Sequence, residues 1–173
     1  FREVKRVPDV VEAFSYVLQN GVKAKLLMVG DGPDRAKAEQ KCRELGMCNH
    51  VRFLGKQEKV EEILSISDLF MIPSGSETFG LAALEAMSCS VPVISSNIGG
   101  LPEVNVDGET GYLCELGDVE KMGEYATKIL KDETLHTKMS DAARKRAEIF
   151  EEDRVVSLYE DYYLEVKENM VCN

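Results

Sequence analysis

The segment L-F-M-I-P-S-G-S-E-T-F-G-L-A-A-L-E-A-M, residues 69–87, decides the fold. Its first four residues are a continuous apolar run, short enough for a strand buried on both faces. Pro73 and Gly75 mark the loop that follows. From Phe79 to Met87 the residues are apolar except for Glu85, which reads as a helix buried on most sides. The N-terminus of such a helix presents free N–H groups and a positive dipole end, a ready anion site. Glu77 and Glu85 lie eight positions apart around the Phe-Gly-Leu turn. A carboxylate at Glu85 inside an apolar helix is costly unless something hydrogen-bonds it. The segment therefore describes a pocket for a ligand with an anion at one end and hydroxyls along its length, as in a sugar nucleotide.

Outward from this segment, short apolar runs alternate with helical patterns. Strands are expected at residues 24–29, 51–54, 69–72, 91–94 and 111–114. Helices are expected at residues 10–18, with Asp9 as cap after Pro8, at 34–45 closed by Gly46, at 60–66 and at 79–89. From Asp118 onward the pattern is helical, with breaks near residues 131–132 and 150–151. The chain opens on what reads as the end of a strand. This alternation predicts an α/β fold, a doubly wound, Rossmann-like parallel sheet with helices on both faces and a C-terminal helical tail. In such sheets ligands bind outside the carboxyl ends of the strands. The unusual loops fall there: residues 2–5, 30–33, 55–57, 73–78 and 95–101.

At 173 residues the chain suits one domain with a sizeable core. Its formal charge of −10 argues against general nucleic-acid or anionic-membrane binding. One exception is local: F-R-E-V-K-R-V sets Arg2, Lys5 and Arg6 against Glu3 alone. The cysteines Cys42, Cys48, Cys89, Cys114 and Cys172 show no C-x-x-C spacing, and no signal peptide or long apolar run is present. Free thiols in a cytoplasmic protein are the plain expectation, with Cys89 and Cys114 filling the core. His50 and His136 are isolated, so no zinc site is suggested.

Each motif has a competing reading. G-D-G-P, with Gly30 and Gly32, opens like a dinucleotide fingerprint but lacks the third glycine, so a tight strand-to-helix turn is favoured over NAD or FAD binding, with backbone contact between these two glycines and the donor also expected. Glu77 and Glu85 could make structural salt bridges, yet no basic residue occurs between Lys59 and Lys121. Paired carboxylates also suit glycoside hydrolysis, although one pair on a helix and its preceding loop fits that poorly. No D-x-D is present, and E-E-D at Glu151 matches it only loosely, so no metal is expected. A bound diphosphate would then be met by a helix end and by Arg2 and Lys5. Gly99 and Gly100 would let a backbone approach a ligand closely, or simply shape a loop.

Taken together, V-G-D-G-P, V-R-F-L-G, S-D-L-F-M-I-P-S, E-T-F-G-L-A-A-L-E-A-M, G-G-L-P-E-V and G-E-T-G-Y-L resemble, in that order, the retaining GT-B glycosyltransferases marked by E-x7-E. The resemblance covers nearly the whole chain as the C-terminal, donor-binding half, residues 1–173, with an N-terminal acceptor domain outside it. F-R-E-V-K-R-V, F-L-G-K-Q and G-Y-L-C-E-L-G-D are similar to a bacillithiol-pathway branch that joins N-acetylglucosamine from a UDP donor to malate. Ser90 departs from the family's glycine in A-x-G-x-P, G-S-E-T differs from that branch, and Arg2 and Lys5 are closer together than in many relatives.

The resemblance implies roles. Arg2 and Lys5 would neutralise the diphosphate, Glu77 would face the sugar hydroxyls, and the amides of Phe79, Gly80 and Leu81 would meet sugar or phosphate. Glu85 would hold the ribose, and the base would lie near Lys56 and Gln57. No cofactor or metal is implied. The departing phosphate itself would take the acceptor proton, and the final helix, residues 154–167, would reach back across the partner domain. Two other classes compete: a sugar-nucleotide 2-epimerase and a non-catalytic flavodoxin-like binding module.

Overall fold

The computed structural model describes residues 1–171. A single 3-10 turn, Glu3–Lys5, leads into α1, Val7–Gln19. Strands and helices then alternate: β1 Leu26–Val29, α2 Arg35–Glu44, β2 Val51–Gly55, α3 Val60–Leu64, β3 Phe70–Ile72, α4 Leu81–Ser88, β4 Val93–Ser96, α5 Leu101–Val104 and β5 Gly111–Cys114. Three helices close the chain, α6 Val119–Lys131, α7 Glu133–Ala147 and α8 Glu152–Val171. The breaks fall where expected. Asp132 caps α7 by accepting the Leu135 N–H at 3.0 Å, and a 3-10 turn, Glu148–Phe150, separates α7 from α8.

All strand pairs are parallel, and apolar residues cover both faces of the larger sheet. Successive residues of β4 divide the core. Ile94 belongs to the core cluster that holds Val11, Phe14, Met122 and Ile129 of α1 and α6, whereas Val93 belongs to the one that holds Ala83, Met87 and Ala143 of α4 and α7. Both are fully buried, and burying each side chain contributes about 1.5–3 kcal/mol. Asn105, also fully buried, ties this sheet together. Its Nδ2 donates to the carbonyls of Val93 and Tyr112, each at 3.1 Å, and to Ser95 Oγ at 2.9 Å, while its Oδ1 accepts from Thr110 Oγ1 at 2.8 Å.

The strands lie in two sheets, β1–β2 and β3–β4–β5, and no pairing joins β1 to β3. The smaller sheet is covered on one face: Leu26 and Met28 are buried, but Leu27 is 36% exposed.

Three local expectations change. The chain opens on a 3-10 turn rather than a strand end. Asp9 does not cap α1. Arg6 occupies the cap in the left-handed region (φ 48°), Pro8 fills the first turn, and Asp9 sits inside it, bound to Arg6 at 2.7 Å. The expected loop after β4 contains α5. Cys42 and Cys114 are buried and Cys48 is exposed, all as free thiols. Burial pushes the Cys42 thiol up to about 11 and that of Cys114 up to about 12. Cys172 lies outside the described residues. No helix among them is long and apolar enough to cross a membrane.

Candidate functional site

Because β3, β4 and β5 run parallel, the loops after them leave from one edge of their sheet, and the loop after β1 meets the same N-terminal arm as the loop after β3. The N-terminal arm is stitched onto that edge. Gly75 N–H donates to the Val4 carbonyl at 2.7 Å and Asp34 N–H to that of Phe1 at 3.0 Å, while the Phe1 amino group donates to the Asp31 carbonyl. Gly32 permits this seating, since a Cβ there would lie 2.5 Å from the Phe1 carbonyl oxygen. The arm thereby brings Lys5 Nζ within 2.5 Å of Glu77 Oε2, across 72 positions of sequence. The lysine side chain is 35% exposed and the glutamate 18%. Arg2 is exposed, and its side chain has no protein partner among the described residues.

Glu77 is also fixed from behind. Its carbonyl accepts the Gly100 N–H at 3.0 Å, and a Cβ on Gly99, where φ is +57°, would meet that carbonyl oxygen at 1.9 Å. The two glycines of G-G-L-P-E-V thus admit the protein's own backbone rather than a ligand. Phe79 is held edge-on to Phe150, with ring centroids 5.6 Å apart, so the turn after α7 buttresses the same loop.

Gly80 caps α4 in the left-handed region (φ 96°) and accepts the N–H groups of Ala83 and Leu84. The N–H groups of Phe79, Gly80 and Leu81 have no acceptor among the described residues. The expectation of a helix buried on most sides fails here. Ala83, Ala86 and Met87 face the core, while Leu81, Ala82, Glu85 and Ser88 line an exposed face. Glu85 is therefore exposed, and its carboxylate has no protein partner among the described residues. Leu81, one turn earlier on that face, is 64% exposed. The inner face packs against α7 through Ala83, Ala86 and Met87, and nothing among the described residues covers the outer face.

Gly30 and Gly32 flank the arm, whereas Lys56 and Gln57 are exposed on the loop after β2. Gln57 Nε2 donates to the Leu54 carbonyl at 2.7 Å, and neither residue touches Glu77 or Glu85. Of E-E-D, Glu151 is exposed, and the side chains of residues 152 and 153 lie outside the description. Among the described residues no group of three or more His, Cys, Asp or Glu is arranged to hold a metal ion. Sequence reasoning missed Arg6. Its guanidinium pairs with Asp9 at 2.6 Å and reaches toward Gly117 on the loop after β5, fixing the arm's exit. Nothing local in the sequence signals its left-handed backbone.

A family model described as glycosyl transferases group 1 matches residues 1–146. The chain belongs to that family. The N-acetyl-alpha-D-glucosaminyl L-malate synthase of Bacillus anthracis is 48% identical over 167 residues, which are 96% of this chain and 44% of that protein. Among solved structures, sucrose-phosphate synthase from Thermosynechococcus elongatus superposes with a TM-score of 0.83 at 27% identity, covering 98% of this chain and 44% of that one. Anabaena Alr3699/HepE in complex with UDP and glucose superposes with a TM-score of 0.82 over 97% of this chain and 46% of that one. At 22% identity the second likeness shows the fold alone. This glycosyltransferase domain thus spans less than half the length of these relatives.

Proposed function

We propose that this chain is the donor-binding half of a retaining glycosyltransferase, using UDP-N-acetylglucosamine and delivering the sugar to L-malate held by a domain outside these residues. The 48% identity to the malate synthase carries the choice of donor and acceptor. The geometry supplies a matching set of groups. Glu85 stands open on α4 to accept the ribose hydroxyls, and the unpaired amides at Phe79, Gly80 and Leu81 face the incoming sugar phosphate. Lys56 and Gln57 are exposed on the loop assigned to the base.

Lys5 has two possible partners in this scheme. Its half-exposed pair with Glu77 is worth roughly 0–1 kcal/mol. A diphosphate offers Lys5 more negative charge and more acceptor oxygens than the single Glu77 carboxylate. In this scheme the phosphate draws Lys5 away, and Glu77 is released to face the sugar hydroxyls. Arg2, without a side-chain partner among the described residues, joins Lys5 on the diphosphate.

In the reaction the bond from the anomeric carbon to phosphate oxygen breaks and that carbon bonds to the acceptor oxygen. The acceptor's proton passes to the departing phosphate. Lys5, Arg2 and the amides at the start of α4 stabilise the charge developing there.

Ligand-dependent unfolding of the full-length protein tests this reading. UDP and UDP-N-acetylglucosamine at a hundredfold excess over Kd should stabilise it by about 2.7 kcal/mol, and NADH should not. Incubation with the sugar nucleotide and malate should yield the N-acetylglucosaminyl malate. Stabilisation by NADH, or no response to UDP, would overturn the assignment.

A further inference from the structure

The loop that carries Glu77 and Phe79 lies directly on the start of α5. A Cβ on Gly100 would meet the Thr78 carbonyl oxygen at 2.4 Å and Phe79 Cα at 2.8 Å, and one on Gly80 would reach Leu101 Cδ2 at 3.0 Å. Leu101 is itself fully buried. Gly99 and the Gly100 N–H already press on the Glu77 carbonyl. The loop therefore keeps its shape only as well as α5 keeps its place.

α5 is a single turn of four residues, Leu101–Val104. One turn fixes several dihedrals for few hydrogen bonds, so it takes its position from what grips its ends. The loop grips the N-terminal end. The other end leaves carbonyls without helical partners, and Arg146 of α7 takes two of them. Its Nη2 donates to the Glu103 carbonyl and its Nε to that of Val104 at 3.4 Å. A planar guanidinium suits such a pair of acceptors. The same group lies over the Phe150 ring, 5.2 Å from its centroid, a cation–π contact. Phe150 in turn is the edge-on neighbour of Phe79.

Arg146 thus reaches the loop by two routes, one through α5 and one through Phe150. Arg144, two positions earlier, makes the contrast. It donates to the Ser88 carbonyl at the far end of α4 and pairs with Glu148 at 3.4 Å. One arginine of this turn serves the loop, and the other serves the opposite end of α4.

Resting on the donor reading above, we propose that Arg146 and Phe150 are positioning residues for the sugar diphosphate. They fix the loop so that the Phe79, Gly80 and Leu81 amides and the Glu77 carboxylate converge on the donor's phosphate and sugar. The ribose contact does not depend on them. Glu85 stands on the outer face of α4, whose inner face is packed through Ala83, Ala86 and Met87. The diphosphate end and the nucleoside end of the site should respond separately, and a shift of about 1 Å at the amides is enough to cost roughly 100-fold in rate.

Titration of the full-length protein with UDP and with uridine, alongside turnover of UDP-N-acetylglucosamine and malate, tests this. Arg146→Met keeps the stem and removes the donors. It should weaken UDP about tenfold, leave uridine unchanged, and lower kcat by roughly 100-fold at an unaltered KM for malate. Arg146→Lys, which keeps the charge, should restore UDP affinity to within about threefold of wild type. Phe150→Leu should shift the UDP-to-uridine ratio in the same direction as Arg146→Met. Arg144→Met should lower the melting temperature and leave the ratio alone. Hydrogen exchange supplies a reading without ligand: in Arg146→Met the Gly100 N–H should exchange at least about tenfold faster, and the Val91 N–H at the end of α4 at the wild-type rate.

An unchanged UDP-to-uridine ratio in Arg146→Met would overturn the proposal, as would Gly100 and Val91 speeding up by the same factor. Either result makes Arg146 a structural brace only. If wild type binds no UDP, the donor reading fails, and exchange at Gly100 still decides whether Arg146 governs the loop. If Arg146→Met does not fold, Arg146→Lys and Phe150→Leu decide, and a wild-type ratio in both overturns the proposal.

Discussion

The loop ending at Glu77 and the helix carrying Glu85 use the same side chain in opposite ways. Glu77 is 18% exposed, paired with Lys5 and anchored through its backbone to Gly100. Glu85 is exposed and unpaired among the described residues. The first belongs to a framework that the protein completes by itself. The second projects from a helix whose packing ends at its inner face, and its carboxylate is left to solvent or ligand. Disturbing the loop should therefore cost stability as well as binding, and disturbing the helix face should cost binding alone.

Gly99→Ala breaks the loop most directly. At φ +57° its Cβ would lie 1.9 Å from the Glu77 carbonyl oxygen, so a loss of about 3 kcal/mol or more is expected in denaturant unfolding. Gly108→Ala is the control, since φ is +73° there and nothing lies within 4 Å. It should cost only the left-handed backbone strain, about 1–2 kcal/mol. Equal losses would mean that the contact behind Glu77 is soft.

The buried floor beneath the rim should respond to alkali. Burial raises the Cys114 thiol from 9.0 to about 12. The stability this group contributes is intact below pH 9 and is lost as pH rises from 9 toward 12, by up to about 1.4 kcal/mol per pH unit. Cys114→Val should remove that component of the alkaline slope.

Lys5→Ala sharpens the contrast within the loop. Stability should fall by less than about 1 kcal/mol, while affinity for the nucleoside diphosphate falls about tenfold, some 1.4 kcal/mol. A large stability loss with unchanged affinity would make the lysine a structural brace only.

Ser90→Gly is the smallest expected effect. Ser90 takes a left-handed backbone (φ 62°) just past α4. Relief of that strain, offset in part by glycine's greater freedom when unfolded, should stabilise by about 0.5 kcal/mol and leave ligand affinity unchanged.

Apolar runs and their punctuation located every strand of the alternating region and each of its helices except α5, and the parallel architecture followed from that order. The burial of α4 did not. Ala82 is exposed and Ala83 buried, and identical residues side by side carry no information about which face meets the core. A stretch apolar but for Glu85 therefore looked enclosed when one side is open. The Lys5–Glu77 contact was hidden for another reason: it joins positions 72 apart through the seating of the arm, which depends on Gly32. The division of the strands into two sheets was equally unreadable, because an unpaired edge and a paired one share the same apolar pattern.

Isothermal titration of full-length wild type and Glu85→Ala with UDP and with uridine tests the central claim most directly. The account predicts that the substitution weakens both ligands by the same factor, about tenfold or more, with the ligand-free melting temperature unchanged. Undiminished uridine binding by the variant would contradict it.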